Sequence, residues 1–385
     1  MDSRQQLRFG ANGKFTVMQV SDVQDIDGLM PRTQALFLAA LDHVRPDFVV
    51  FTGDQFKGYG LKLHLASEAQ RKRRLMRTIN ALAEPMHERG IPFTITFGNH
   101  DHDVPMDPVR QIECWRHWPN CLTRHNEEVP GYANHVLEVA GSRNEAPAML
   151  LYFLDSHDSS KFGYKPLDPG QIAWYRETRD AYAMQNNGKC LPSMLFQHVP
   201  IEEMYELFQE VDKKTPGALQ GFRNHAGKYF VLDTGKAAPG SFMGELSKCP
   251  DENAGLFEAA AEKGDMAGMF FGHDHTNGFH GKVRGIQLGY APTAGYSAYG
   301  PGRRRGMRVF HFDENDIANF ESYVVTDEQL LGRPLLHPLV RVQDTGPSSW
   351  GQAEQRLRRD LPRIALGSAG IALGLAAIRF ARRKK

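Results

Sequence analysis

Apolar positions divide most of this chain into short buried runs and longer amphipathic stretches. Predominantly apolar runs stand at 15–20, 48–52, 92–97, 194–197 and 269–271, and each reads as a buried strand. Residues 31–44 carry Leu36, Phe37, Ala40, Leu41 and Val44 at helical spacing, and Pro46 ends that helix. A helix over about 63–89 leads to the third run. The first three strands and their helices therefore make two βαβ-like units, which require parallel pairing and right-handed crossovers. Runs at 132–139 and 148–155 supply strands of a second sheet, and helices over 169–184 and 256–263 precede the last two buried runs. Residues 209–251 have no strong period and are rich in Gly, Lys, Asn and Pro, which predicts an irregular segment near a site mouth. From 280 to 325, short strands alternate with glycine turns and finish the second sheet; there is no internal repeat.

Polar chemistry is concentrated where the buried runs end. Asp22-Val23-Gln24, Gly53-Asp54, Gly98-Asn99-His100-Asp101, His198 and Gly272-His273-Asp274-His275 each follow one of the five strands. In open α/β sheets ligands gather beyond the carboxyl ends of strands, so these exits can meet despite their distance in sequence. One aspartate or one of the sixteen histidines would mean little, because Asp is a common turn residue and a lone His is more often surface or core. The joint pattern points to a pair of divalent ions, which sit roughly 3.5–4 Å apart and need one shared anionic ligand with a few donors on each side. Asp54 is the natural bridge. Asp22 and His275 fall to one side, and Asn99, His198 and His273 to the other.

Composition narrows the partners. With 46 basic and 45 acidic residues in 385, no global field attracts nucleic acid, so an anionic partner has to be held by a local site. Cys114, Cys121, Cys190 and Cys249 lack zinc-finger spacing and read as thiols. Residues 1–13 are polar with no stretch of signal-peptide length, so the catalytic domain is expected to stay on the side where it is made, the cytoplasm. Residues 364–378 are Ala, Leu, Ile, Gly and a single Ser between arginine-rich flanks. As a helix this stretch rises about 22 Å against a hydrocarbon core of roughly 30 Å, so 361–380 is expected to form a marginal membrane anchor that needs snorkelling arginines. A helix packed on a soluble cytoplasmic protein is the alternative. The expected divisions are an extension over 1–13, a catalytic domain over 14–328, a linker over 329–355 and the anchor helix with basic flanks over 356–385. Oligomeric state is not readable.

The strand-end clusters resemble the blocks of calcineurin-like metallophosphoesterases, in the single-domain branch related to purple acid phosphatases. Phe97 to Asp101, Gln197 to Ile201, Gly272 to Asn277 and Gly295 to Gly300 carry the likeness, which spans roughly residues 14 to 326. The resemblance implies an α/β fold, a four-layer α/β/β/α sandwich of two mixed sheets, with a C-terminal hydrophobic helix added here. It implies two divalent ions (Mn, Fe or Zn) held by Asp22, Gln24, Asp54, Asn99, His198, His273 and His275, and a hydroxide between them attacking a phosphorylated substrate. It also implies that His100, beside Asn99, protonates the leaving oxygen with Asp101 or Asp274 orienting its ring, and that Asn99, His100 and Tyr296 meet the substrate. His102, Asp103, His225 and Tyr299 are further residues for the mouth. Two positions depart from the pattern: Gln24 stands where the family has histidine, and Lys57 where purple acid phosphatases have tyrosine. A neutral amide is a harder, weaker ligand than imidazole.

The expected activity is that of a phosphomonoesterase, with a phosphodiesterase acting on nucleotides or lipid headgroups as the second reading. A decayed scaffold that only binds a partner is the third. Deleting residues 361–385 is expected to move the protein from the membrane pellet to the supernatant; a protein that stays wholly in the pellet would refute the anchor.

Overall fold

The computed structural model describes residues 6–332 apart from 60, 161 and 162. The apolar stretch 361–380 and most of the expected linker lie outside the described residues. No helix among the described residues is long and apolar enough to cross a membrane.

The strands that matter for the site are β1 (Leu7–Arg8), β2 (Lys14–Val20), β3 (Phe48–Thr52), β4 (Phe93–Thr96), β5 (His135–Ala140), β6 (Pro147–Phe153), β7 (Ser193–Phe196), β8 (Met266–Phe271), β9 (His280–Val283), β10 (Ile286–Tyr290), β11 (Gly306–Asp313) and β12 (Glu321–Thr326). They form a seven-stranded sheet, β1-β5-β6-β7-β8-β10-β9, and a five-stranded one, β12-β11-β2-β3-β4. Both are mixed. Strands β2, β3 and β4 run parallel, as do β6, β7, β8 and β10, while β11 and β12 add antiparallel pairs at one edge.

Period-two alternation along these strands makes three cores and hence four layers. In β3, Phe48 and Val50 face the other sheet, where Met149, Leu151 and Phe153 of β6, Met194 and Phe196 of β7 and Phe270 of β8 meet them. Val49 and Phe51 face outward against Leu36, Phe37 and Ala40 of helix α1 (Pro31–Val44) and Leu75, Ile79 and Leu82 of helix α2 (Glu68–Glu88). On the far side, Leu150, Tyr152, Leu195 and Met269 pack on Ile172 and Tyr175 of helix α3 (Pro169–Gln185) and Phe257 of helix α4 (Leu256–Ala261). The described residues form an α/β/β/α sandwich whose central strands are apolar on both faces because both faces are covered.

Two expectations differ from the structure. The single helix over 63–89 is broken into Leu61–His64 and α2, and Ser67 caps the start of the second: its hydroxyl accepts from Gln70 N, and the Gln70 side chain accepts from Ser67 N. The segment over 209–251 holds a small antiparallel sheet, Phe208–Val211, Tyr229–Leu232 and Leu219–Gln220, whose strands are too short to establish a period. At the strand ends the two sheets are tied together. Gln19 Nε2 donates to Phe271 O at 3.0 Å, and His198 Nδ1 donates to Thr52 O at 2.8 Å. Both bonds cross from one sheet to the other.

Candidate metal centre

The carboxyl ends of β2, β3, β7 and β8 converge through backbone bonds before any side chain is considered. Asp22 N donates to Gly53 O, Gln24 N to Asp54 O at 2.9 Å, and Gly272 N to His198 O at 3.0 Å. Such close approach needs glycine: a Cβ on Gly53, whose φ is +85°, would stand 2.6 Å from His198 Nδ1. The site residues themselves are strained. Asp22, Gln24, Asp54 and His273 adopt φ of 52°, 46°, 52° and 73°, left-handed conformations that cost about 1–3 kcal/mol each and persist only where surrounding contacts impose them.

These contacts bring the ligand atoms to one place. Asp22, Asp54 and His275 form a buried group whose donor atoms lie within 4.8 Å of one another. Asp22 Oδ2 accepts from Ser21 Oγ and His273 N, which turns Oδ1 toward His275 Nε2 at 3.1 Å and His198 Nε2 at 3.9 Å. Asp54 Oδ1 accepts from His100 N at 2.8 Å, and Oδ2 lies 3.3 Å from His198 Nε2. Both His198 and His275 engage a backbone carbonyl through Nδ1, at Thr52 O and Tyr299 O, and so present Nε2 to the carboxylates. The His198 and His273 rings meet edge to face with centroids 5.2 Å apart. Gln24 has its amide among these atoms, with Nε2 2.9 Å from Asp54 Oδ2 and 3.2 Å from His275 Nε2. Turning that amide over would offer Oε1 instead.

Four buried donor atoms of this set, Asp22 Oδ1, Asn99 Oδ1, His198 Nε2 and His273 Nε2, have no hydrogen-bond partner. Leaving such atoms unsatisfied costs about 1–3 kcal/mol each. Carboxylate, amide and imidazole donors so gathered fit divalent cations. Burial would raise Asp54, but the His198 and His100 imidazoles outweigh it and hold the carboxyl well below its usual range. Burial would lower His198, yet Asp54 and Asp22 lift it to about 10. The two carboxylates demand a positive charge beside them, and a proton and a cation compete to supply it. His273 is pushed the other way, by burial and then by the charges on His198 and Lys248, and stays neutral as a ligand must.

Two residues expected at the reacting centre stand elsewhere. Asp101 does not orient His100: it is 1% exposed and accepts from Gly98 N and Phe56 N, pinning the turn Asn99–His102 to the strand end. Burial and the charge on Asp54 push its carboxyl up to about 8. Asp103 takes that role, 2.7 Å from His100 Nδ1, whereas Asp274 is occupied by Tyr290 and Lys248. Tyr296 is not at the mouth either. It is 1% exposed, and its hydroxyl donates to Asp327 at 2.6 Å, where Arg32 also binds.

Other residues were not legible beforehand. Tyr59 packs on the His100 ring with centroids 4.4 Å apart, and its hydroxyl donates to Gln24 Oε1 at 3.3 Å. Glu245 accepts from Thr276 N and Tyr299 OH and pairs with Lys248, which also reaches Asp274, so this cluster braces the loop bearing His273 and His275. Both came from stretches without periodicity.

The chain belongs to the calcineurin-like phosphoesterase family, whose model matches residues 15–277. It is similar to the Arabidopsis thaliana protein named probable inactive purple acid phosphatase 29, 27% identical over 348 residues, 81% of this chain and 80% of that protein. It is also similar to phosphatase DCR2 of Saccharomyces cerevisiae, 27% identical over 240 residues, 55% of this chain and 39% of the yeast protein. Among solved structures, a dimetal phosphatase from Danio rerio aligns at 11% identity and a TM-score of 0.46, covering 81% of this chain and 98% of that one.

His100 touches the ligand set only through its backbone and a 4.0 Å approach of Nε2 to Asp54. His100→Ala is therefore expected to lower kcat about 10²- to 10⁴-fold while bound metal per chain stays constant. Equal loss of metal and rate, measured by elemental analysis beside turnover, would remove the proton-transfer role.

Proposed function

We propose that this chain is a metal-dependent phosphomonoesterase that holds two divalent ions around Asp54. The observation that carries the reading is the set of four buried donor atoms without partners, on Asp22, Asn99, His198 and His273, beside that carboxylate. When bound, two such ions supply Lewis acidity toward phosphoryl oxygens and lower the pKa of water to near neutrality. Asp22, Asp54, His275 and Gln24 would serve one ion, and Asp54, Asn99, His198 and His273 the other. Manganese, iron or zinc suits imidazole with carboxylate, and the amide of Gln24 tilts the first position away from zinc.

The remaining steps belong to the chain itself. His100 keeps its Nδ1 on Asp103, which fixes the ring and leaves Nε2 to give a proton to the departing oxygen. Its side chain is 29% exposed, so a substrate can reach it. Tyr59, 46% exposed, forms one wall of the approach. The relatives are named as phosphatases, which supports a monoester as substrate. Three Arabidopsis thaliana relatives are named probable inactive, and Gln24 at a histidine position favours a second reading in which the fold retains a cation and binds without turnover.

Purified full-length protein, given manganese, iron or zinc, is expected to hydrolyse an aryl phosphate monoester faster than the matching diester. Diester preference would overturn the monoesterase reading. No turnover with any metal, alongside retained metal, would replace it with the binding scaffold.

A further inference from the structure

Away from the metal centre, a cavity of about 620 Å³ lies between edge strands of the two sheets. His280 of β9, Ser322 of β12 and Arg308 of β11 line it, with Phe242 and Arg304 from the loops. The loop bearing the metal-site histidines forms the partition: Gly278, also in the cavity wall, donates its amide to Phe242 O at 2.9 Å.

Arg308 is 1% exposed, and each of its hydrogen bonds ends on an uncharged acceptor. Nε donates to Tyr290 O at 2.6 Å, and Nη1 donates to Ser322 Oγ at 2.9 Å and to His280 Nδ1 at 3.2 Å. Among the described residues no carboxylate pairs with it, and Nη2 has no hydrogen-bond partner. Arg179, with a side chain just as buried at 3%, is answered by both Asp180 and Glu262. A guanidinium held out of water is costly unless an anion faces it. Burial without an opposing charge pulls Arg308 down to about 9. His280, held neutral by burial and then by Arg308, accepts through Nδ1 and so carries its proton on Nε2.

The mouth repeats the imbalance. Arg304 lies over the Phe242 ring, 5.3 Å from its centroid, and forms no ion pair among the described residues. The carboxylate on the rim, Glu328, is taken by Arg303 at 3.0 Å. Positive charge is thus left over on the buried Arg308 and on the exposed Arg304 of the same cavity wall.

We propose that this cavity binds a small oxyanion, with Arg308 as its buried anchor and Arg304 at its mouth. A guanidinium fork matches the paired oxygens of a phosphate or a carboxylate, and that shared chemistry defines the ligand class. Nothing in the proposal passes through turnover, so it stands or falls apart from the phosphoesterase reading.

Calorimetric titration with inorganic phosphate and with benzoate separates the two sources. Because phosphate can also reach the metal centre, the titration is run on the full-length Asp54→Asn chain and on chelator-treated wild-type chain. Saturable binding in both backgrounds is expected, weakened about tenfold or more by Arg304→Ala and abolished by Arg308→Gln. Stronger binding of phosphate identifies a phosphate ligand, and stronger binding of benzoate an organic carboxylate. If Arg308→Gln fails to fold, Arg304→Ala and Ser322→Ala carry the test. Absence of saturable binding, or binding that Arg304→Ala and Ser322→Ala leave unchanged, would overturn the site and leave Arg308 as a tie between strands.

Discussion

Everything at the site depends on the charge balance around Asp54. Its carboxylate is 1% exposed at the end of a strand covered on both faces, with Asp22 as a second buried carboxylate close by. Two such groups cannot share a dry pocket without positive charge between them. The surrounding atoms are arranged to receive it: Nδ1 of both His198 and His275 is tied to a backbone carbonyl, and both rings turn Nε2 inward. The backbone at Asp22, Gln24, Asp54 and His273 is held in left-handed conformations at these same strand ends.

The fold makes that concentration possible by covering both faces of both sheets. Because β2, β3 and β4 run parallel in one sheet and β7 and β8 in the other, their carboxyl ends reach one edge, and the bonds from Gln19 and His198 lock the two ends together. Gln24 is the local departure. Its amide, where the resemblance implies a histidine, reaches both Asp54 and His275.

Much of this was readable in the residues because strand burial writes continuous apolar runs. The helix Pro31–Val44 and the strand Phe48–Thr52 fall where the pattern put them, and the Gly-Asn-His-Asp and Gly-His-Asp-His clusters announce themselves by following such runs. What was not readable depends on contacts that only the fold creates. Tyr296 sits in a glycine-rich stretch that suggests a mouth, but Asp327, 31 residues later, takes its hydroxyl inward. Asp101 adjoins His100 in sequence, yet the turn that holds both turns its carboxylate to Gly98 N and leaves Asp103, three residues on, to meet the imidazole. Glu245 and Lys248 have no motif around them, and they matter because the fold lays them against the loop 273–276.

The most direct test is elemental analysis of the full-length protein after manganese, iron or zinc loading and gel filtration, run beside Asp54→Asn. Two divalent ions per wild-type chain and less than one in the variant are expected, because the shared anionic ligand is gone. Equal metal in both proteins, or none in the wild type, would contradict a two-ion centre around Asp54.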